Sequence, residues 1–152
     1  MEKEYYMKKA LSYAKRAGNV GETPVGAIIV RNGEIISFGY NKREKKKNAL
    51  CHAEIMAINR ACKKLGGWRL WECDMYVTLE PCPMCAGAII NSRIKKVYFG
   101  AYDKKAGCFG SVADFNELNF NHKPEVEGGV LEEKCAKLLS DFFKSLREKK
   151  KK

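Results

Sequence analysis

The stretch that most constrains this chain runs from Met75 to Gly87. Met75-Tyr76-Val77-Thr78-Leu79 is short, apolar and rich in strand-forming residues. Glu80-Pro81-Cys82-Pro83-Met84-Cys85-Ala86-Gly87 follows at once. Pro83 fits the opening turn of a helix, where a missing N–H costs little. A strand therefore turns into a helix within a few residues. Cys82 and Cys85, three apart, share one face of that first turn. The free N–H groups and the positive end of the helix dipole favour thiolates over thiols there. Two thiolates make half of a tetrahedral zinc site.

A Cys-x-x-Cys alone is compatible with a redox pair or with half of a zinc ribbon. A ribbon needs a second such pair, and the sequence has none. The missing half is expected upstream, at Cys51-His52-Ala53-Glu54. His52 is the candidate third ligand and Glu54 the carboxylate beside it. His-x-Glu followed by Pro-Cys-x-x-Cys is the known signature of zinc deaminases, matched here rather than derived. Taken singly, His52 is an ordinary helix-start histidine and Glu54 a first-turn carboxylate favoured by the dipole. Their pairing with the distant cysteines favours catalysis.

A chain of 152 residues is expected to form one domain, 1–152, with a basic C-terminal tail. Domains of this size bury roughly 68–70% of their unfolded surface, enough for a real core. The charged start Met1-Glu2-Lys3-Glu4 is no signal peptide, and no apolar run approaches the roughly 20 residues of a membrane helix. Seven cysteines, an odd count, favour a reducing compartment with thiols and a metal over a disulfide framework. A cytoplasmic protein with no membrane partner is the expectation. The formal charge of +11 and pI near 9.3 point to a polyanionic partner, although solubility alone also accounts for a basic surface. Much of the surplus lies in two runs, residues 42–47 and 147–152. A free-base substrate needs no such runs.

Along the chain, residues 2–17 predict an amphipathic helix stopped by Gly18. Val25–Val30 predicts a buried strand. Asn32-Gly33 is the strongest short hairpin signal, so Glu34–Gly39 returns antiparallel. Residues 42–47 read as a basic loop. His52–Leu65 predicts a helix with Ile55, Ile58, Cys62 and Leu65 as its buried stripe, ended by Gly66-Gly67. Trp68 and Trp71 are expected in the core, as is Cys62. The cysteine-bearing helix should run to about Asn91, followed by a strand from Lys95 to Phe99. A short helix is expected near Val112–Leu118, an edge strand at Val126–Gly128, and a last helix over Leu131–Arg147. Leu131, Cys135, Leu138, Leu139, Phe142 and Leu146 make its apolar face. This order implies an α/β fold, a three-layer α/β/α sandwich around one mixed sheet. The metal should lie where two helix N-termini meet at one end of the sheet.

The chain resembles the cytidine-deaminase-like superfamily and, within it, the bacterial tRNA-specific adenosine deaminases (the TadA family). The likeness runs through Pro24–Ala27, Gly39-Tyr40-Asn41, His52–Ile55, Tyr76–Ala88, Ser92-Arg93-Ile94, Phe99–Gly107, Asn121-His122-Lys123 and Leu138–Phe143. The metal motif marks only the superfamily; the Asp103 loop and the double-Phe last helix mark the family. The resemblance implies a homodimer that converts adenosine to inosine at the wobble position of a tRNA anticodon, with the arginine tRNA of anticodon ACG as usual substrate. It implies one zinc ion per chain, held by His52, Cys82 and Cys85, with Glu54 as proton shuttle. It implies that Asn41 contacts the base and Asp103 the RNA near the target. Phe143, Lys144 and Arg147 would lie where the last helix approaches the anticodon stem-loop. Cys51 departs from the alanine expected before the histidine, and His122 has no assigned role.

On this reading, three protein ligands leave a fourth zinc position for water, whose pKa the metal lowers to roughly 7. Glu54, kept off the metal, would carry protons to N1 and to the departing amino group. Asn41 can offer both a donor and an acceptor to a purine edge. Three other functions compete. A deaminase of free guanine or cytosine would share the site without needing the charge. A non-catalytic RNA-binding module with structural zinc has no use for Glu54. A thiol oxidoreductase would act without metal.

Overall fold

The computed structural model describes residues 2–150, so Lys151 and Lys152 of the basic tail lie outside the described residues. Helix α1 spans Glu2–Asn19, strand β1 Gly26–Arg31 and strand β2 Glu34–Tyr40. A single helical turn, α2, covers Arg43–Lys46, and α3 covers Ala53–Leu65. Strand β3 (Cys73–Leu79), helix α4 (Pro83–Asn91) and strand β4 (Lys96–Ala101) follow. One 3₁₀ turn at Phe115–Glu117, strand β5 (Glu125–Glu127) and helix α5 (Glu132–Lys150) complete the chain.

The five strands form one sheet in the order β2-β1-β3-β4-β5. β1 is antiparallel to β2 and to β3, while β3, β4 and β5 are mutually parallel. Asn32 and Gly33 both take positive φ, 51° and 74°, as a tight hairpin between β1 and β2 demands. The strands read as nearly continuous apolar runs because both faces are covered. Ala27, Ile29, Met75, Val77, Val97 and Phe99 pack toward α3 and α4. Ile28, Val30, Tyr76 and Tyr98 pack toward α1 and α5. The result is the expected three-layer α/β/α sandwich with a mixed sheet.

Several local expectations differ from the structure. α1 continues past Gly18 to Asn19. The basic loop is helical at Arg43–Lys46, because the buried Glu22 carboxylate accepts the N–H groups of Glu44 (3.1 Å) and Lys45 (2.8 Å). The buried face of α3 is Ala53, Glu54, Ala57, Ile58 and Ala61, while Ile55, Cys62 and Leu65 are only half-buried. The helix lies so close to β2 that a Cβ on Gly39 would be 2.2 Å from the Ala53 carbonyl oxygen, and small residues are what fit. β4 runs through Gly100, where an added Cβ would meet Cys135 Sγ of α5 at 2.3 Å. Trp68 and Trp71 are each 51% exposed rather than core. Their rings are covered from outside, Trp68 by the Arg69 guanidinium at 4.2 Å and Trp71 by the edge of His122 at 6.3 Å. On α5 only Cys135 is fully buried; Leu138, Leu139 and Phe142 are half-buried and Leu146 is exposed.

Sheet direction collects the important loops at one end. β1 is antiparallel to β3, so the start of β1 lies beside the end of β3. Thr23 and Val25 before β1, Asn41 after β2, Glu80 to Cys82 after β3 and Tyr102 to Ala106 after β4 therefore share one edge. That is where parallel α/β sheets bind ligands.

Candidate active site

α3 and α4 both begin at this edge, and each begins on an extended residue whose side chain does no capping. His52 precedes α3 with φ −78° and ψ 156°, and Cys82 precedes α4 with φ −75° and ψ 175°. Pro83 occupies the first turn of α4, as its missing N–H predicts. The side chains released from capping turn toward each other. His52 Nδ1 lies 3.6 Å from Cys82 Sγ and 3.7 Å from Cys85 Sγ. These three donor atoms lie within 4.8 Å of one another.

The trio fits a zinc ion. Zn–S bonds of about 2.3 Å and Zn–N bonds of about 2.0–2.1 Å at tetrahedral angles would put N and S about 3.6 Å apart, which is the spacing observed. Two thiols and one imidazole are also the donor chemistry that zinc selects. Hydrogen bonding from Cys85, and then from His52, holds the Cys82 thiol down at about 4, a thiolate at neutral pH. The same contact with Cys82 pushes the Cys85 thiol up, and contact with Cys82 raises His52. The Cys85 proton would leave on metal binding, because only the thiolate ligates. Cys51, next to His52, is buried outside this trio, and its carbonyl accepts the Lys42 N–H at 3.0 Å.

Glu54 lies in the first turn of α3, 4% exposed, and lines the cavity beside His52 and Cys82. Burial pushes its carboxyl from 4.5 to about 7. A group poised there can both take and return a proton near neutrality.

The cavity has a volume of about 630 Å³. His52, Cys82 and Glu54 form its floor, and Asn41, Arg43, Tyr102 to Ala106, and Leu139 and Phe143 of α5 line the rest. Asn41 is 7% exposed, and its Oδ1 accepts the Ala53 N–H at 2.9 Å. That bond engages one lone pair of the amide oxygen and ties Asn41 to the start of α3, while the residue lines the cavity. Asp103 Oδ1 accepts the N–H groups of Lys105 (3.0 Å) and Ala106 (3.1 Å), and its Oδ2 has no protein partner among the described residues. A smaller recess of about 330 Å³ continues outward through Lys105, Phe143, Leu146, Arg147 and Lys150. Lys144 is exposed on α5 and lines neither space. His122 caps a strand start instead, its Nε2 2.7 Å from the Ile94 oxygen.

Sequence reasoning missed Glu80. It is 1% exposed, and its carboxylate accepts the N–H groups of Asp103 (3.0 Å), Phe109 (3.1 Å) and Ser111 (3.1 Å) and the Ser111 hydroxyl. The one available signal was an acidic residue ending an apolar strand.

The chain matches the family described as MafB19-like deaminase over residues 1–147. It is 54% identical over 149 residues to a tRNA-specific adenosine deaminase of Bacillus subtilis (strain 168), covering 97% of this chain and 92% of that protein. A solved structure from studies of A-to-I editing by tRNA:A34 deaminases at the wobble position of transfer RNA superposes with a TM-score of 0.86 at 40% identity, covering 89% of this chain and 99% of the other. A guanine deaminase from Bacillus subtilis superposes with a TM-score of 0.63 at 32% identity, covering 78% and 86%.

Proposed function

The chain belongs to the tRNA-specific adenosine deaminases, within the MafB19-like deaminase family, and on that premise we propose that it uses one zinc ion to deaminate the wobble adenosine of a tRNA anticodon, with the arginine tRNA of anticodon ACG as substrate. The observation that carries this reading is a His52, Cys82 and Cys85 trio beside a protonatable Glu54, at the floor of a cavity with a basic rim. A zinc ion there would supply an activated water at neutral pH. Every other task falls to the chain.

An adenine must leave its stack to reach this floor, and an anticodon loop releases a base more easily than a duplex. Asn41 Nδ2 would hold an acceptor on the purine edge. Glu54 would accept a proton from the water attacking C6 and pass it to N1, then take the proton of the new C6 hydroxyl and deliver it to the departing amino group. One water is consumed, ammonia leaves and inosine remains. Asp103 Oδ2, free of the protein, would accept from a ribose 2′-OH. Arg43, Lys105 and Arg147 would meet phosphates, with Phe143 against a loop base and Lys144 farther out on α5.

The expected homodimer belongs to the same proposal. Ile55, Met56 and Met84 on α3 and α4 stay half-buried in the single chain and Leu50 stays exposed, which suits burial against a second copy. No helix among the described residues is long and apolar enough to cross a membrane; a cytoplasmic setting follows from the proposed substrate. Incubation with total tRNA, read by sequencing for A-to-G changes, tests the function. Inosine at position 34 of the ACG tRNA is the expected result. Deamination of free guanine with no change in tRNA would overturn it.

A further inference from the structure

Outside the His52, Cys82 and Cys85 trio, three long-range features stand out in the molecule. Tyr13, Phe38 and Tyr40 stack beside Arg16, Arg60 and Lys42. Those rings already occupy one another's faces, so they offer little to a ligand. Glu22 caps α2. The third, Glu80, carries the most.

We infer that Glu80 is a positioning residue for RNA binding, which holds the Tyr102–Ala106 wall of the cavity in its RNA-receiving shape. The inference rests on the proposed function above. Glu80 follows β3, two residues before Cys82, yet its carboxylate points away from the trio and into the loop after β4. Oε1 takes the Asp103 N–H, while Oε2 takes the N–H groups of Phe109 and Ser111. Ser111 adds its hydroxyl to Oε1. One buried side chain thus replaces the ladder partners that the loop lacks. Gly107 shows how closely the loop is wrapped: a Cβ there would lie 2.3 Å from the Glu80 carboxyl carbon. Asp103 then folds the next turn on itself through Lys105 and Ala106.

A carboxylate is the required group, because every partner donates and both oxygens are used. Glu80→Gln puts an NH₂ against at least one N–H donor in either orientation. The floor of the site, built from α3 and α4, should be untouched. The wall should loosen, so binding should suffer rather than the chemistry of a bound substrate.

The experiment compares Glu80→Gln with the unaltered protein by amide hydrogen exchange, zinc content, and kcat and KM for the ACG anticodon stem-loop. The Asp103, Phe109 and Ser111 amides should exchange at least about tenfold faster in the variant. KM should rise roughly 10–100-fold, with kcat within a few-fold and one zinc per chain retained. Gly107→Ala, which pushes the loop off the carboxylate from the other side, should give the same split and carries the test if Glu80→Gln does not fold. Unchanged exchange at the three amides would overturn the inference. So would faster exchange with unchanged KM, or equal loss of kcat and zinc in both variants. Failure of the unaltered protein to deaminate the stem-loop would instead sink the proposed function, while the exchange result stands independently.

Discussion

Burial works against the charge of Glu54, and that conflict is measurable apart from catalysis. Its folded value of about 7 lies above the ordinary 4.5 of an unfolded chain. The folded state therefore holds the proton more tightly. Its relative stability is full below about 4.5 and is lost as pH rises through about 7, at a cost of roughly 3 kcal/mol. In protein stripped of metal, Glu54→Gln should raise Tm clearly at pH 8 and little at pH 5. Equal shifts at both pH values would show that burial of charge is not the cause. With metal present the same variant should keep one zinc per chain and still bind RNA. Its turnover should fall by 10⁴-fold or more, at or beyond the upper end of roughly 10²–10⁴ for a positioned acid–base, since one side chain serves several transfers. His52→Ala should lose zinc and activity together. Elemental analysis with single-turnover deamination separates the two variants; near-normal turnover in Glu54→Gln would mean its role is misassigned.

Among the elements, α3 carries Glu54 and begins directly after His52, so its distance from the sheet sets the site. Gly39 fixes that distance, with the Ala53 oxygen and Ala57 nitrogen 2.2 and 2.7 Å from where a Cβ would stand. Gly39→Ala should destabilise by about 1–3 kcal/mol and lower zinc content per chain, because α3 must lift away from β2. Gly67→Ala, with nothing within 4 Å, should change neither. Denaturant unfolding with metal analysis checks both. Strands, the Asn32-Gly33 hairpin and the long helices were legible in the sequence, because local period and turn chemistry determine them. So was the grouping of His52, Cys82 and Cys85, with Glu54 lining the same cavity, because these residues fall in two short motifs. The alanine face of α3 was not, since close approach favours residues that hydropathy ranks low. α2 was hidden because its cap, Glu22, is 22 residues from Glu44. Glu80 was hidden for the same reason, its partners lying 23 to 31 residues away. Trp68 and Trp71 misled because bulk argues for burial, whereas both rings lie against side chains on the surface.

For the whole molecule, the charge of +11 should make RNA binding strongly salt-dependent. Affinity for the stem-loop should fall steeply between 50 and 200 mM salt, as roughly 0.7 counterions are released per single-strand phosphate neutralised. Deleting Lys149 to Lys152 should flatten that slope and weaken binding more than turnover at saturating RNA. A salt-independent affinity would reduce the basic runs to a solvated surface. The cavity also has a history along the chain. His52, Glu54, Cys82 and Cys85 all precede Leu139 and Phe143, which line the cavity from α5. On a ribosome adding about 5–20 residues per second, the half with the candidate metal ligands emerges seconds before these two residues of α5. On the proposed function, birth order would separate two competences: a nascent chain could take up an ion while it still lacked a finished mouth for RNA.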